Sequence, residues 1–231
     1  MSKTILITGA SRGIGYQTSL KLAGENHTVI AVARSTDKLE KLASSKAPGK
    51  IIPVTADLTE ESGIQKIVEI ASGFEVIDGI INNAGAVHRG KLMESDFSVW
   101  KKLMDVNVLA IVRLIQALKP KLISGSHILN ISSMSGYQGS TKFPGLSAYG
   151  ASKAAVIGLS EILSVEFASE GIAVNCLCLG AVQTEMFEEA FPGFEAPVSA
   201  VEMGSYLAEF VLNGHHFYNG KVLPVALNDP G

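Results

Sequence analysis

The chain predicts an α/β fold, a doubly wound parallel sheet of about seven strands with helices on both faces, and three observations carry that reading. Short β-branched or aliphatic runs recur at residues 4–8, 28–33, 51–55, 76–81, 127–131, 172–177 and 221–225. Between most of them lie segments of helical periodicity, at 14–23, 38–43, 64–70 and 97–118, with a second long helix near 148–168. The strand-like runs are also followed by polar or Gly-rich segments: TGASRGIG, ARS, ADL, NNAG, ISS and LGAVQT in turn. Parallel strands joined by helical crossovers produce this alternation, and in such sheets ligands bind beyond the carboxyl ends of the strands, where the strand order reverses.

Composition bounds the rest. The chain of 231 residues, 47% hydrophobic, has material for one large core, and no repeat, low-complexity tract or linker calls for a second domain. The 19 basic and 22 acidic residues leave a net charge of −3 without a dense basic patch, so nucleic acid is not an expected partner. No apolar run reaches the roughly 18 residues of a membrane span, and MSKTILITGA lacks the charged head and cleavage site of a signal peptide, so a soluble, cytoplasmic protein without membrane contact is expected. Cys176 and Cys178 would point to one face of a strand, which reads as core filling and not as a metal or redox pair. His215 and His216, in the polar NGHHFYNG, read as surface.

The chemistry-bearing segments follow in chain order. Gly9, Gly13 and Gly15 stand between the first strand and first helix, where positions without side chains let backbone and helix N-terminus approach a pyrophosphate. Arg34 ends the second strand, where a dinucleotide site distinguishes a ribose hydroxyl from a 2′-phosphate. A planar, permanently charged fork attracts the phosphate, and Arg12 inside the glycine turn could close on it too, so NADP(H) is preferred over NAD(H). A solvent-facing Arg34 would leave NAD as the alternative. Asp57 either lies beside a ligand or caps the helix after it. In SAYGASKAAVIG, Tyr149 and Lys153 are one helical turn apart among unusually small neighbours.

Together these segments resemble the short-chain dehydrogenase/reductase (SDR) family of oxidoreductases with a Rossmann fold. The resemblance is carried by Thr8-Gly9-x-x-x-Gly13-x-Gly15, Asn82-Asn83-Ala84-Gly85, Asn107, Ser132-Ser133 and Tyr149-x-x-x-Lys153, in that order along nearly the whole chain. It implies one NAD(P)-binding domain over 1–231 and hydride transfer between nicotinamide and a small-molecule carbonyl or secondary alcohol. Tyr149 would be the general acid or base. A free phenol titrates near ~10, and Lys153 would lower that value while also contacting the nicotinamide ribose. Ser133, rather than Ser132, would hold the substrate oxygen, and Asn107 a water linking Lys153 to solvent. The resemblance further implies cofactor contacts at Ser11, Ile14, Leu58, Asn83, Ala84 and Gly85, at Asp57 beside the adenine, and at Gly180, Val182 and Thr184 against the carboxamide. Relatives assemble as homodimers or homotetramers. A non-catalytic dinucleotide sensor would share the fold, but such proteins usually lack the Tyr or Lys retained here.

Three features depart from the family pattern. Leu179 stands where Pro is common, which loosens the turn. The interval from Ser133 to Tyr149 is about three residues longer than usual and should bulge near the substrate. The substrate segment 185–199, with Phe187, Phe191 and Phe194, is short.

Overall fold

The structure is a computed structural model that describes residues 1–227. Its elements run β1 (Thr4–Thr8), α1 (Gly13–Gly24), β2 (Thr28–Ala33), α2 (Thr36–Ala43), β3 (Lys50–Thr55), α3 (Glu61–Ser72), β4 (Gly79–Asn82), α4 (Phe97–Met104), α5 (Ala110–Leu118), β5 (His127–Ser133), α6 (Ser147–Glu166), β6 (Ala173–Leu179), β7 (Val182–Gln183), α7 (Glu185–Ala190), β8 (Val198–Ser199), α8 (Ala200–Asn213) and β9 (Val222–Val225). Seven strands form one parallel sheet in the order β3-β2-β1-β4-β5-β6-β9, and β7 pairs with β8 beside it. The chain turns back at the β1/β4 boundary, so the crevice expected of this topology opens there.

Strand alternation explains the two-sided winding. Leu6, Ile30, Ile80, Ile128 and Val174 join one core cluster with Ile67 of α3, Leu114 of α5 and Val156 of α6. Ile5, Val29, Ile81, Leu129 and Leu177 point the other way, onto Leu22 of α1, Leu39 of α2 and Leu207 of α8. Strands buried on both faces must be apolar at successive positions, which is why they read as continuous hydrophobic runs. Cys176 and Cys178 are fully buried in the first cluster, as core filling requires.

Two elements differ from their sequence-based expectation. The run 76–81 becomes strand only from Gly79, because Asp78 uses its carboxylate to accept from Thr4 N (2.7 Å), while its own N–H donates to Thr4 O (2.9 Å). The helix expected over 97–118 is interrupted by a π-helical turn at Asp105–Leu109, whose wider backbone winding places Asn107 toward the centre of the molecule. The histidine pair also differs. His216 is exposed, but His215 is half-buried and packs on the buried His127 with ring centroids 5.5 Å apart.

Candidate active site

The crevice above the carboxyl ends of the strands has a volume of about 740 Å³. Its phosphate end is built by backbone. Gly9 has φ +70°, and a Cβ there would stand 2.9 Å from Ala84 Cα. Asn83 closes the β1/β4 junction, its side chain donating to Thr8 O at 2.9 Å while the N–H groups of Asn83 and Ala84 donate to Thr8 Oγ1 at 3.1 and 3.0 Å. Ser11, Arg12, Gly13 and Ile14 line the crevice, and α1 begins here with no acidic residue in its first turn, leaving its N-terminal partial positive charge available. Gly15 does not line it. That residue is buried behind the turn, where a Cβ would meet Asn83 Nδ2 and Gly9 O at 2.6 Å, so its role is close packing.

At the adenosine end Arg34 is 76% exposed and its guanidinium lies 4.0 Å from Asp57, a contact too long and too wet to hold it firmly. Asp57 is turned toward its own loop. It accepts from Thr59 N (2.9 Å) and Thr59 Oγ1 (2.7 Å), and the backbone hydrogen bond, ahead of the Arg34 charge, holds its carboxyl below the usual range. Leu58, Ala84 and Gly85 complete this wall.

The crevice floor joins β5 to α6. Ser132 Oγ donates to Lys153 O at 2.8 Å, and Lys153 Nζ donates to Ile131 O at 2.9 Å, so strand and helix are clamped reciprocally. Strand alternation then turns Ser133 the other way, toward Tyr149 and the crevice. Small residues in α6 and in the loop after β5 make the approach possible: a Cβ on Gly150 of α6 would stand 3.0 Å from Ser135 O, and one on Gly136 of the loop would stand 2.6 Å from Ala154 N. The Lys153 Nζ lies 5.9 Å from the Tyr149 ring centroid.

The electrostatics differ from the sequence expectation that Lys153 lowers the Tyr149 pKa. Enclosure by protein raises the Tyr149 phenol above its ordinary value, opposed by the neighbouring Ser133 hydroxyl. Burial pushes Lys153 down to about 8, and its ammonium reaches past the ring to a carbonyl instead of the phenol oxygen. A phenol held in this way keeps its proton at neutral pH.

Asn107 also differs in its contacts. It is fully buried and does not line the crevice. Its Oδ1 accepts from Ala86 N (2.8 Å), and its Nδ2 donates to Ala86 O (3.0 Å) and Ser152 Oγ (2.9 Å), so its side chain is committed to fixing the loop after β4 against α6.

The remaining wall comes from the two irregular segments. Phe143 and Leu146, from the extended stretch after β5, line the crevice together with Phe187, Phe191 and Phe194. Gly180 and Val182 line the crevice beside them, with Gly180 N donating to Val225 O at 3.0 Å. Thr184 caps α7, its side chain accepting from Phe187 N. Arg89, which motif reading did not single out, stands over the Phe191 ring at 5.1 Å and donates to Ala190 O at 3.4 Å.

A two-sided parallel sheet with a glycine turn at its switch point, and a Ser–Tyr–Lys floor beside it, defines a dinucleotide-dependent oxidoreductase. The comparisons agree: the short chain dehydrogenase family pattern matches residues 3–193. The chain is 34% identical over 192 residues to a 3-oxoacyl-(acyl-carrier-protein) reductase of Thermotoga maritima, covering 81% of this chain and 77% of that one. It is 35% identical over 193 residues to the enzyme of the same name from Staphylococcus epidermidis, covering 80% and 78%. A short chain dehydrogenase from Burkholderia cenocepacia, solved in complex with NADP, superposes with a TM-score of 0.90 at 25% identity, covering 99% of this chain and 98% of that one. The chain therefore belongs to the short-chain dehydrogenase/reductase family and is an NAD(P)-dependent oxidoreductase acting on carbonyl and alcohol groups of small molecules. No helix among the described residues is long and apolar enough to cross a membrane.

Proposed function

We propose that this oxidoreductase prefers NADP(H) and works as a carbonyl reductase, with Tyr149 as proton donor, Ser133 as the group that holds the substrate oxygen, and Lys153 and Asn107 as positioning residues. The observation that carries the reading is the convergence of Ser133 and Tyr149 on one crevice wall, where Lys153 is fixed to Ile131 O at 2.9 Å. The residues present fit a dinucleotide: glycine backbone and the start of α1 for its pyrophosphate, Arg34 and Arg12 for a 2′-phosphate, and Gly180, Val182 and Thr184 for the carboxamide. When bound, the nicotinamide supplies or accepts the hydride. Tyr149 Oη gives its proton to the carbonyl oxygen as negative charge develops there, and Ser133 Oγ donates a hydrogen bond to the same oxygen. Phe143, Phe187 and Phe191 keep water from the reacting carbon.

The names of the reductases from Thermotoga and Staphylococcus support 3-oxoacyl thioesters as the first substrates to test, and an apolar wall suits an acyl chain. The chain would act as one cytoplasmic domain with 185–199 as substrate wall, assembled as a dimer or tetramer. Ile162 and Val165 of α6, 60% and 75% exposed, support such an assembly; a stable monomer in sedimentation would contradict it. For the reaction, NADPH oxidation followed by absorbance across ketones, aldehydes and 3-oxoacyl thioesters should show turnover that Tyr149→Phe abolishes while NADPH still binds. Undiminished turnover in that variant would remove Tyr149 from the reaction.

A further inference from the structure

Arg12 is the cation of the glycine turn, and its guanidinium is already engaged. Its Nη1 donates to Glu189 Oε1 at 2.7 Å, joining the residue that precedes α1 to the outer turn of α7. α7 is held by other means as well: Thr184 caps it, and Gln183 Nε2 donates to Glu188 Oε1 at 2.7 Å. The Arg12–Glu189 pair is thus an extra tie between the roof of the crevice and its phosphate-binding floor. Glu185 adds negative charge toward Arg12, and Lys38, which also lines the crevice, adds positive charge toward Glu189.

A ribose 2′-phosphate carries close to two negative charges and three acceptor oxygens, whereas Glu189 carries one charge. Arg12 spends one donor, Nη1, on Glu189, and a carboxylate left beside a phosphate repels it, so charge repulsion sets the two anions in competition for the guanidinium. We infer that Glu189 is a specificity-determining residue that competes with the cofactor 2′-phosphate for Arg12. Binding of NADP(H) exchanges the Arg12–Glu189 pair for a phosphate contact and frees α7 from the glycine turn, while NAD(H), with a neutral hydroxyl at that position, leaves the pair in place. The inference rests on the NADP(H) reading above and deepens it.

Because both side chains are partly solvated, 36% and 62% exposed, the competition is modest, about two- to five-fold in affinity. The test is a fluorescence titration of the full chain with NADPH and NADH, in wild type, Glu189→Gln and the control Glu188→Gln, joined to amide hydrogen exchange of α7. Glu189→Gln should tighten NADPH about two- to five-fold and leave NADH unchanged, and Glu188→Gln should leave the ratio of the two affinities alone. In wild type, NADPH but not NADH should speed exchange in α7. An equal change for both cofactors, or an unchanged ratio in Glu189→Gln while wild type prefers NADPH, overturns the role of Glu189 alone. A wild type that binds NADH as tightly as NADPH overturns the NADP(H) reading and this inference with it.

Discussion

β5 begins at His127 and ends at Ser133, and its two ends treat polar side chains in opposite ways. His127 is fully buried with both ring nitrogens partnered, Nδ1 with Val211 O and Nε2 with Asn175 Nδ2, each at 3.0 Å. A carbonyl requires a donor and an amide NH₂ requires an acceptor, so this network assigns the proton to Nδ1 of a neutral ring. At the other end Ser133 accepts from Ser135 N at 3.2 Å and meets the Ser135 hydroxyl at 3.0 Å, while its remaining capacity faces Tyr149 and the crevice. A saturated network fixes a fold, whereas polar capacity left open toward a cavity is available for chemistry.

The sharpest way to break this contrast is Tyr149→Phe, which removes only the hydroxyl at the open end. Loss of the proton donor should lower kcat about 10²–10⁴-fold with the melting temperature and NADPH affinity close to wild type. A variant that melts many degrees lower would make Tyr149 a structural group like His127. Ser133 and Ser132 give a paired test one residue apart. Ser133→Ala should lower kcat roughly 10²–10³-fold with little change in stability. Ser132→Ala should cost about 1 kcal/mol of stability by deleting the bond to Lys153 O, with a much smaller effect on rate. Equal kinetic losses would show that the alternation along β5 does not separate the two roles.

The closed end makes its own prediction through pH. Burial lowers the His127 pKa to about 4, below its ordinary 6.5. As pH falls through 6.5 the unfolded chain takes up the proton first and the folded chain takes it up only near 4. Stability is therefore full above that window, declines across it, and has no further loss from this group below it. The linked loss is about 3 kcal/mol, and His215, also lowered by burial and by His216, contributes with the same sign. Denaturant unfolding between pH 7 and 4 measures it, and the imidazole resonances report whether His127 stays neutral to about pH 4. A ring that titrates near 6.5 would mean that the network opens.

What was legible in the sequence follows the same division. The glycine turn and the Tyr149–Lys153 spacing depend on residues a few positions apart, so periodicity and backbone sterics reveal them. The saturated end of β5 was hidden, because His127, Asn175 and Val211 come together only through the sheet and α8. α8 itself carried a local sign that periodicity alone passed over, the capping box of Ser199 and Glu202. Asn107 was found by its place in the pattern, yet its bonds to Ala86 and Ser152 depend on the π-helical turn, which no spacing rule announces. Arg89 and Glu189 were invisible for a related reason: they act across the crevice, on partners about 100 residues away or more.

A further expected effect extends the contrast to β2, whose last residues lead into Arg34. That guanidinium is 76% exposed and has only a 4.0 Å contact with Asp57, so its hydrogen-bonding capacity is free, whereas Arg12 already spends Nη1 on Glu189. Such a group adds little to folding, and its deletion should not move the melting temperature. Against a 2′-phosphate it would form charge-assisted bonds worth about 1.5–3 kcal/mol, less what solvent screening removes. Arg34→Ala should therefore weaken NADPH about tenfold and NADH hardly at all, with the NADPH loss shrinking as salt is raised. A loss shared equally by the two cofactors would place Arg34 among groups that shape the turn, and open capacity at a strand end would then be an insufficient sign of ligand contact.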